Sequence, residues 1–296
     1  MSLLLPAVQA AREASRRISC TNNVRQLALA CLSHESSTRR LPGSGLEESS
    51  YAELSLLNTG NKFSWLVRLL PYIEEQALYD QFDFDNNILR QNVDLATAQP
   101  PPFLCPSDQA SGRLLDLSNL PPMTDRQFAK GNYAAFATAF HLDSSWEGSI
   151  DREGRRLREV KDGQSKTLIL AEVRTRDHEE DPRGAWSLPW PGSSLLAIDF
   201  HQAVGSNGQV EFAQTPNSLA PDVLFRCPRP AAAQLDRMPC HEQWQDYISD
   251  APRSRHTGGV VAGYLDGHIR FLSDDIDPET MALLVAVNDG RTVNSE

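Results

Sequence analysis

The sequence predicts an α+β fold, with a long N-terminal helix packed on a head rich in antiparallel β-sheet. Three observations carry that expectation. A helix-period pattern fills the first 37 residues, proline- and glycine-punctuated loops occupy much of the middle, and alternating apolar runs around a tight-turn dipeptide close the chain. A long helix, then loops, then mostly strands is the order of an α+β protein rather than of alternating βαβ units.

The first element is read from "LLLPAVQAAREASRRISCTNNVRQLALACLSHESS". Val8, Ala11, Ala14, Ile18, Leu27 and Cys31 return at steps of three and four, with Arg12, Glu13, Arg16 and Arg25 between them. At about 1.5 Å per residue such a helix is roughly 50 Å long. Pro6 is tolerated in a first turn, where its missing N–H breaks no bond, and "RRLPGSG" supplies the stop. The pattern divides the chain into a helix over residues 1–38 and a head over 39–296.

In the head, "FSWLVRLLPYIEEQALYDQF" reads as a second helix interrupted at Pro71, with Trp65, Leu66, Leu69, Tyr72, Ile73, Leu78 and Tyr79 on its buried face. "QPPPFLCPSD" is a loop, and "KTLILAEV" a short strand opened by the turn "KDGQS". Residues 176–195 form a loop in which Trp186 and Trp190 serve either as plugs beneath it or as the lining of a binding face. "GGVVAGYLDGHIRFL" is a hairpin turning at Asp266-Gly267, with Ile269 and Phe271 on one face of its second strand and His268 and Arg270 on the other.

The 296 residues are 40% apolar and 23% charged, the balance of a globular protein. The net charge of −11 is unevenly spread: Arg12, Arg16, Arg17, Arg25, Arg39 and Arg40 face only Glu13 and Glu35 in the first 40 residues, which leaves an acidic body. Such a body argues against nucleic acid as a partner. No run approaches the roughly 20 apolar residues of a membrane span. Leu3-Leu4-Leu5 nevertheless reads as the tail of an apolar run.

Catalytic templates are missing. "HESST" and "HEQWQ" lack the second histidine of a zinc-protease helix, and neither a nucleophile elbow nor a phosphate-cradling glycine loop occurs. His141, His201 and His241 are scattered. The five cysteines form no zinc-type pattern; Cys227 and Cys240 bracket "CPRPAAAQLDRMPC" and suit either a local disulfide or two separate buried thiols. The run "SDDIDPET" offers Asp274, Asp275, Asp277 and Glu279 as oxygen ligands of the kind Ca²⁺ takes, or as a helix-capping acidic turn.

Several blocks together resemble one bacterial prepilin-type family of unknown function, pseudopilin-like and also grouped with solute-binding proteins. They are "LLLPAVQAAREASRRISCTNNVRQLALA", "SWLVRLLPYIEEQALYDQF", "FLCPSD", "GNYAA", "VKDGQSKTLILAE" and the H-x9-DG element running from His256 to Asp266-Gly267. The resemblance implies a leader, a peptidase site and a membrane half-helix upstream of the leucines. It implies an extracytoplasmic head anchored in the inner membrane, and partners among pilin-like subunits or other envelope proteins of a type II secretion or type IV pilus-like assembly. It further implies that Val8, Ile18, Leu27 and Cys31 lie against the sheet. No catalysis and no cofactor is expected, with Ca²⁺ the one ion weighed. The competing class is an anchored solute- or glycan-binding module that uses Trp186 and Trp190 or the pair His256 and Asp266. A metal-dependent hydrolase built on His256, Asp266 and Glu172 is the third class.

Overall fold

Helix α1 spans Leu4–Thr38, 35 residues and about 52 Å of rise. The computed structural model describes residues 4–45, 63–118, 126–139, 147–205, 208–212, 214–228, 236–242 and 248–291. The buried face of α1 is Cys20, Val24, Leu27, Ala28 and Cys31, spaced as a 3.6-residue period demands. Of the four residues expected against the sheet, Leu27 and Cys31 take that place, while Val8 and Ile18 are 45% and 63% exposed. The reason is rotational and positional. Arg17 lays its guanidinium 3.6 Å from the Phe271 ring centroid, which turns the next residue outward, and Pro6 to Ala10 are all exposed.

The stretch expected as one interrupted helix is three short pieces. Helix α2 (Trp65–Leu69) is capped by the Ser64 hydroxyl, a 3-10 turn covers Leu70–Tyr72, and helix α3 spans Gln76–Tyr79. Pro71 lies in the 3-10 turn and Glu74 is left-handed, with φ of 66°, so the helix ends where it would have run on. Helix α4 (Val93–Thr97) and helix α5 (Pro278–Val285) complete the helical elements that matter here.

The strands are β1 (Leu114–Asp116), β2 (Gln127–Ala129), β3 (Tyr133–Thr138), β4 (Leu168–Glu172), β5 (Leu195–Ala197), β6 (His201–Gly205), β7 (Gly208–Phe212), β8 (Asp222–Leu224), β9 (Cys240–Glu242), β10 (Gly259–Tyr264) and β11 (Ile269–Ser273). Five of them form the central sheet in the order β11-β10-β4-β3-β5, antiparallel except for the β3/β5 pair. The α+β class with an antiparallel-rich head is thus what the chain adopts.

The sheet lies between two layers. One face carries Val261, Ala135, Ile169 and Leu170 beneath α1; the other carries Ala134, Phe136, Val260 and Ala262 beneath Met281, Ala282 and Val285 of α5. This explains why β3, β4 and β10 are buried at every position and do not alternate. Gly263 marks the closest approach: a Cβ there would stand 3.3 Å from Val24 Cγ1 and 3.4 Å from the Ala28 Cβ, so the missing side chain lets α1 settle on the strand.

Beside the sheet, charges are buried in pairs. Asp222 accepts from Arg183 at 2.7 Å and from Arg253 at 2.6 Å, and Asp181 from Arg176 at 3.0 Å. Burial alone would raise the Asp181 carboxyl; the cations Arg183, Lys130 and Arg176 outweigh it and hold the group well below the usual carboxylate range. Burial pushes Lys130 the other way, down to about 8.

Candidate functional site

Among the described residues, a dense meeting of reactive side chains sits at the seam between α1 and the head. Glu13 and Cys20 are seven residues apart on α1, two turns along one face. Cys105 comes from the loop after a 3-10 turn at Pro101–Phe103, Glu172 is the last residue of β4, and His256 lies just ahead of β10.

Each is held by local bonds. The Cys105 N–H donates to Asn132 Oδ1 at 2.9 Å, and Asn23 of α1 donates to the Leu104 carbonyl at 2.8 Å. Glu172 turns one oxygen to the Val261 N–H of β10, 2.8 Å away, leaving Oε1 for the site. The His256 N–H donates to Ser254 Oγ at 3.0 Å, and that hydroxyl donates to the Gly259 carbonyl at 2.6 Å; Gly258, with φ of 87°, then turns the chain into β10. Glu13 is set by the Ser107 hydroxyl at 3.1 Å and by Arg16 at 2.7 Å.

Cys20 and Cys105 form a disulfide across 85 residues, fastening the long helix to the head. Beside it the His256 ring stands between two carboxylates, Nδ1 2.9 Å from Glu13 Oε1 and Nε2 3.1 Å from Glu172 Oε1. Burial by itself would lower the imidazole, but its hydrogen bonds and charge interactions with Glu172 and Glu13 outweigh that and raise it. Burial likewise tends to raise Glu13, and the bonds from Arg16, His256 and Ser107 reverse the sign. An imidazolium that donates to both carboxylates satisfies all three groups. The Cys105 sulfur lies 3.5 Å from Glu172 Oε1 and 4.0 Å from His256 Nε2. One atom each of Cys20, Cys105, Glu172 and His256 falls within 4.8 Å of the others.

The remaining sequence candidates lie elsewhere. Asp266 is at the other end of β10, where it makes the turn with Gly267 and contacts His268 Nδ1 at 2.5 Å. His256 and Asp266 therefore do not share a site, while His256 and Glu172, paired in the hydrolase reading, do. Asp266 and His268 line a pocket of about 310 Å³ with Lys166, Tyr264 and Arg270. Trp186 and Trp190 are core residues, not a binding face: Trp186 packs on Phe103 and donates to the Ala98 carbonyl at 2.8 Å, and Trp190 meets Phe225 edge to face. Among the three aspartates considered for Ca²⁺, Asp277 caps α5 through the Thr280 N–H, Asp274 accepts from Asn217 at 2.7 Å, and Asp275 is exposed. They do not converge on one point. Cys227 and Cys240 are bonded to each other, which settles the open alternative at that loop. His141 lies outside the described residues.

Glu13, Cys20 and Cys105 were not singled out by sequence reasoning. The available signal was weak: a glutamate and a cysteine seven apart on a helix, and a cysteine in a proline loop 85 residues on.

The fold and site together define an α+β protein whose long N-terminal helix is covalently and ionically clamped to its head, forming one of the two layers that cover the central sheet. The family model described as a protein of unknown function (DUF1559), whose short label SBP_bac_10 is of the solute-binding type, matches residues 9–279. The chain belongs to that family. No curated protein and no solved structure gives a significant match.

Proposed function

We propose that this protein is a pilin-like envelope component with a structural or interaction role, its head outside the cytoplasm and its work done without catalysis. The observation that carries the reading is the division of α1. Residues from Cys20 onward are fixed to the head by the disulfide, by Asn23 and by the buried stripe, while Pro6 to Ala10 stand exposed. A helix so divided suits a subunit that offers its first turns to a neighbour or a membrane-proximal partner and keeps the head rigid behind them. Two disulfides fit an oxidising compartment. Among the described residues no helix is long and apolar enough to cross a membrane.

Mass spectrometry of the N-terminus of the protein isolated from its own cells tests this reading. A mature chain that starts with a methylated residue about 20 apolar residues upstream of Leu3 supports it. A chain that begins at Met1 overturns it in favour of a binding module. The observation that favours this second reading is the pocket around Tyr264, Asp266, His268 and Arg270, whose stacked Tyr264 and His268 rings, 4.1 Å apart, flank a cation and a carboxylate.

A further inference from the structure

We propose that Cys20, Cys105, Glu172 and His256 form a divalent-metal site of the zinc type when the disulfide is reduced, so that one cluster fastens α1 to the head by a covalent bond in one redox state and by coordination in the other. The inference is independent of the envelope reading, because it concerns a seam present in the chain itself.

The donor set is two sulfurs, one imidazole nitrogen and one carboxylate oxygen, the mixture that zinc accepts in four-coordinate sites. The geometry is close to what the ion requires. Bonds of about 2.0–2.3 Å to a central zinc give ligand-to-ligand edges of about 3.3–3.8 Å. The observed separations are 3.1 Å from His256 Nε2 to Glu172 Oε1, 3.5 Å from Glu172 Oε1 to Cys105 Sγ and 4.0 Å from Cys105 Sγ to His256 Nε2. The main movement required is for the two sulfurs to part from bonding distance to about 3.8 Å. The cluster is buried, so an ion there would be shielded from competing water.

The surroundings support the assignment. Zinc-ligating histidines characteristically give their second ring N–H to a carboxylate, which fixes the tautomer and aims the other nitrogen at the ion. Glu13 stands in that position, 2.9 Å from Nδ1, and is itself held by Ser107 and Arg16. With Nδ1–H given to Glu13, the Nε2 lone pair and Glu172 Oε1 face each other as two acceptors at 3.1 Å. They need either a proton or a cation between them, and the proton serves in the oxidised state. Glu172 keeps its other oxygen on the Val261 N–H, so one oxygen remains to ligate.

The redox step balances simply. A dithiol reductant transfers two electrons and two protons to the Cys20–Cys105 bond, yielding two thiols and its own disulfide. Zn²⁺ then displaces both thiol protons and the His256 proton to solvent.

The test titrates zinc chloride, against a chromophoric chelator, into the full chain held oxidised or reduced with a water-soluble phosphine, which adds no thiol to compete for the ion. The reduced wild type should take up one ion per chain through this cluster and the oxidised form none here, and reduced Glu172→Gln and His256→Ala should bind at least about tenfold more weakly. Both variants retain the disulfide when oxidised, so circular dichroism of the oxidised forms checks their fold. Zinc-edge X-ray absorption of the reduced wild type needs no variant and should show two sulfur and two nitrogen or oxygen neighbours. No uptake by the reduced chain, uptake unchanged in Glu172→Gln, or a sulfur-only or sulfur-free shell would overturn the assignment.

Discussion

His256 Nδ1 lies 2.9 Å from Glu13 Oε1 although 243 residues separate them, so the end of the chain closes on its beginning through one imidazole. The pair bridges α1 and the turn into β10, and it sits beside the Cys20–Cys105 bond. Removing one partner leaves a buried polar group short of a bond, a loss of about 1–3 kcal/mol. Glu13→Ala, which removes the acceptor, should therefore lower stability by about 1–2 kcal/mol. Hydrogen exchange should speed up in α1 around residues 9–20 and leave the central sheet protected. Uniform acceleration through β3, β4 and β10 would count against a local clamp.

The disulfide between Cys20 and Cys105 closes an 85-residue loop, for which the chain-entropy account gives about 4–5 kcal/mol. The Cys227–Cys240 loop spans 13 residues and gives about 3 kcal/mol on the same account. The double variant Cys20→Ala/Cys105→Ala should thus melt well below Cys227→Ala/Cys240→Ala. Calorimetry on both under non-reducing conditions checks the order, and the reverse order would sink the claim that the long loop matters more.

Asp250 is fully buried, and its carboxyl is pushed well above the usual range by that burial and by the neighbouring Asp222 charge. Its folded value exceeds its unfolded one, so its contribution is complete below about pH 4 and is lost as pH rises through the folded value. Asparagine keeps an oxygen for the Ala197 N–H, which Asp250 Oδ1 now accepts at 3.2 Å, and carries no charge. Asp250→Asn should leave the melting temperature nearly unchanged at pH 4 and raise it at pH 8. A difference that does not grow with pH would refute the assignment.

Asp222 is the acceptor for two buried guanidinium groups, Arg183 and Arg253. Breaking a buried pair from one side typically costs about 3–5 kcal/mol because the other charge stays behind. Asp222→Ala should fall in that range by urea unfolding, and the further change Arg253→Met in the same chain should recover part of the loss. A cost below about 1 kcal/mol would show that the network is solvated.

Much of the architecture was legible in local pattern. The length of α1, the "KDGQS" turn into β4 and the Asp266-Gly267 hairpin follow from periodicity and turn chemistry, which act over a few residues. The break at Pro71 was legible too, but its depth was not. A kink and a full break share the same proline, and Glu74 in the left-handed region decides for the break.

The site was legible only in fragments. His256 and Glu172 stood out by residue type, but Asp266 was grouped with them through the H-x9-DG element of the resembling family, and a six-residue extended strand carries it to the opposite end of β10. Trp186 and Trp190 suited a loop plug, the commoner case, or a ligand face; packing against Phe103 and Phe225 made them core.

The sequence by itself determined the long helix, the hairpin, the acidic body and the class of the fold, because each is written in composition or in short-range repeats. Only the tertiary structure decided which face of α1 is buried, which cysteines bond and which carboxylates meet His256. Those outcomes depend on the angle at which one helix crosses one sheet. That angle is set by contacts such as Val24 and Ala28 against Gly263, between residues more than 200 positions apart in the chain.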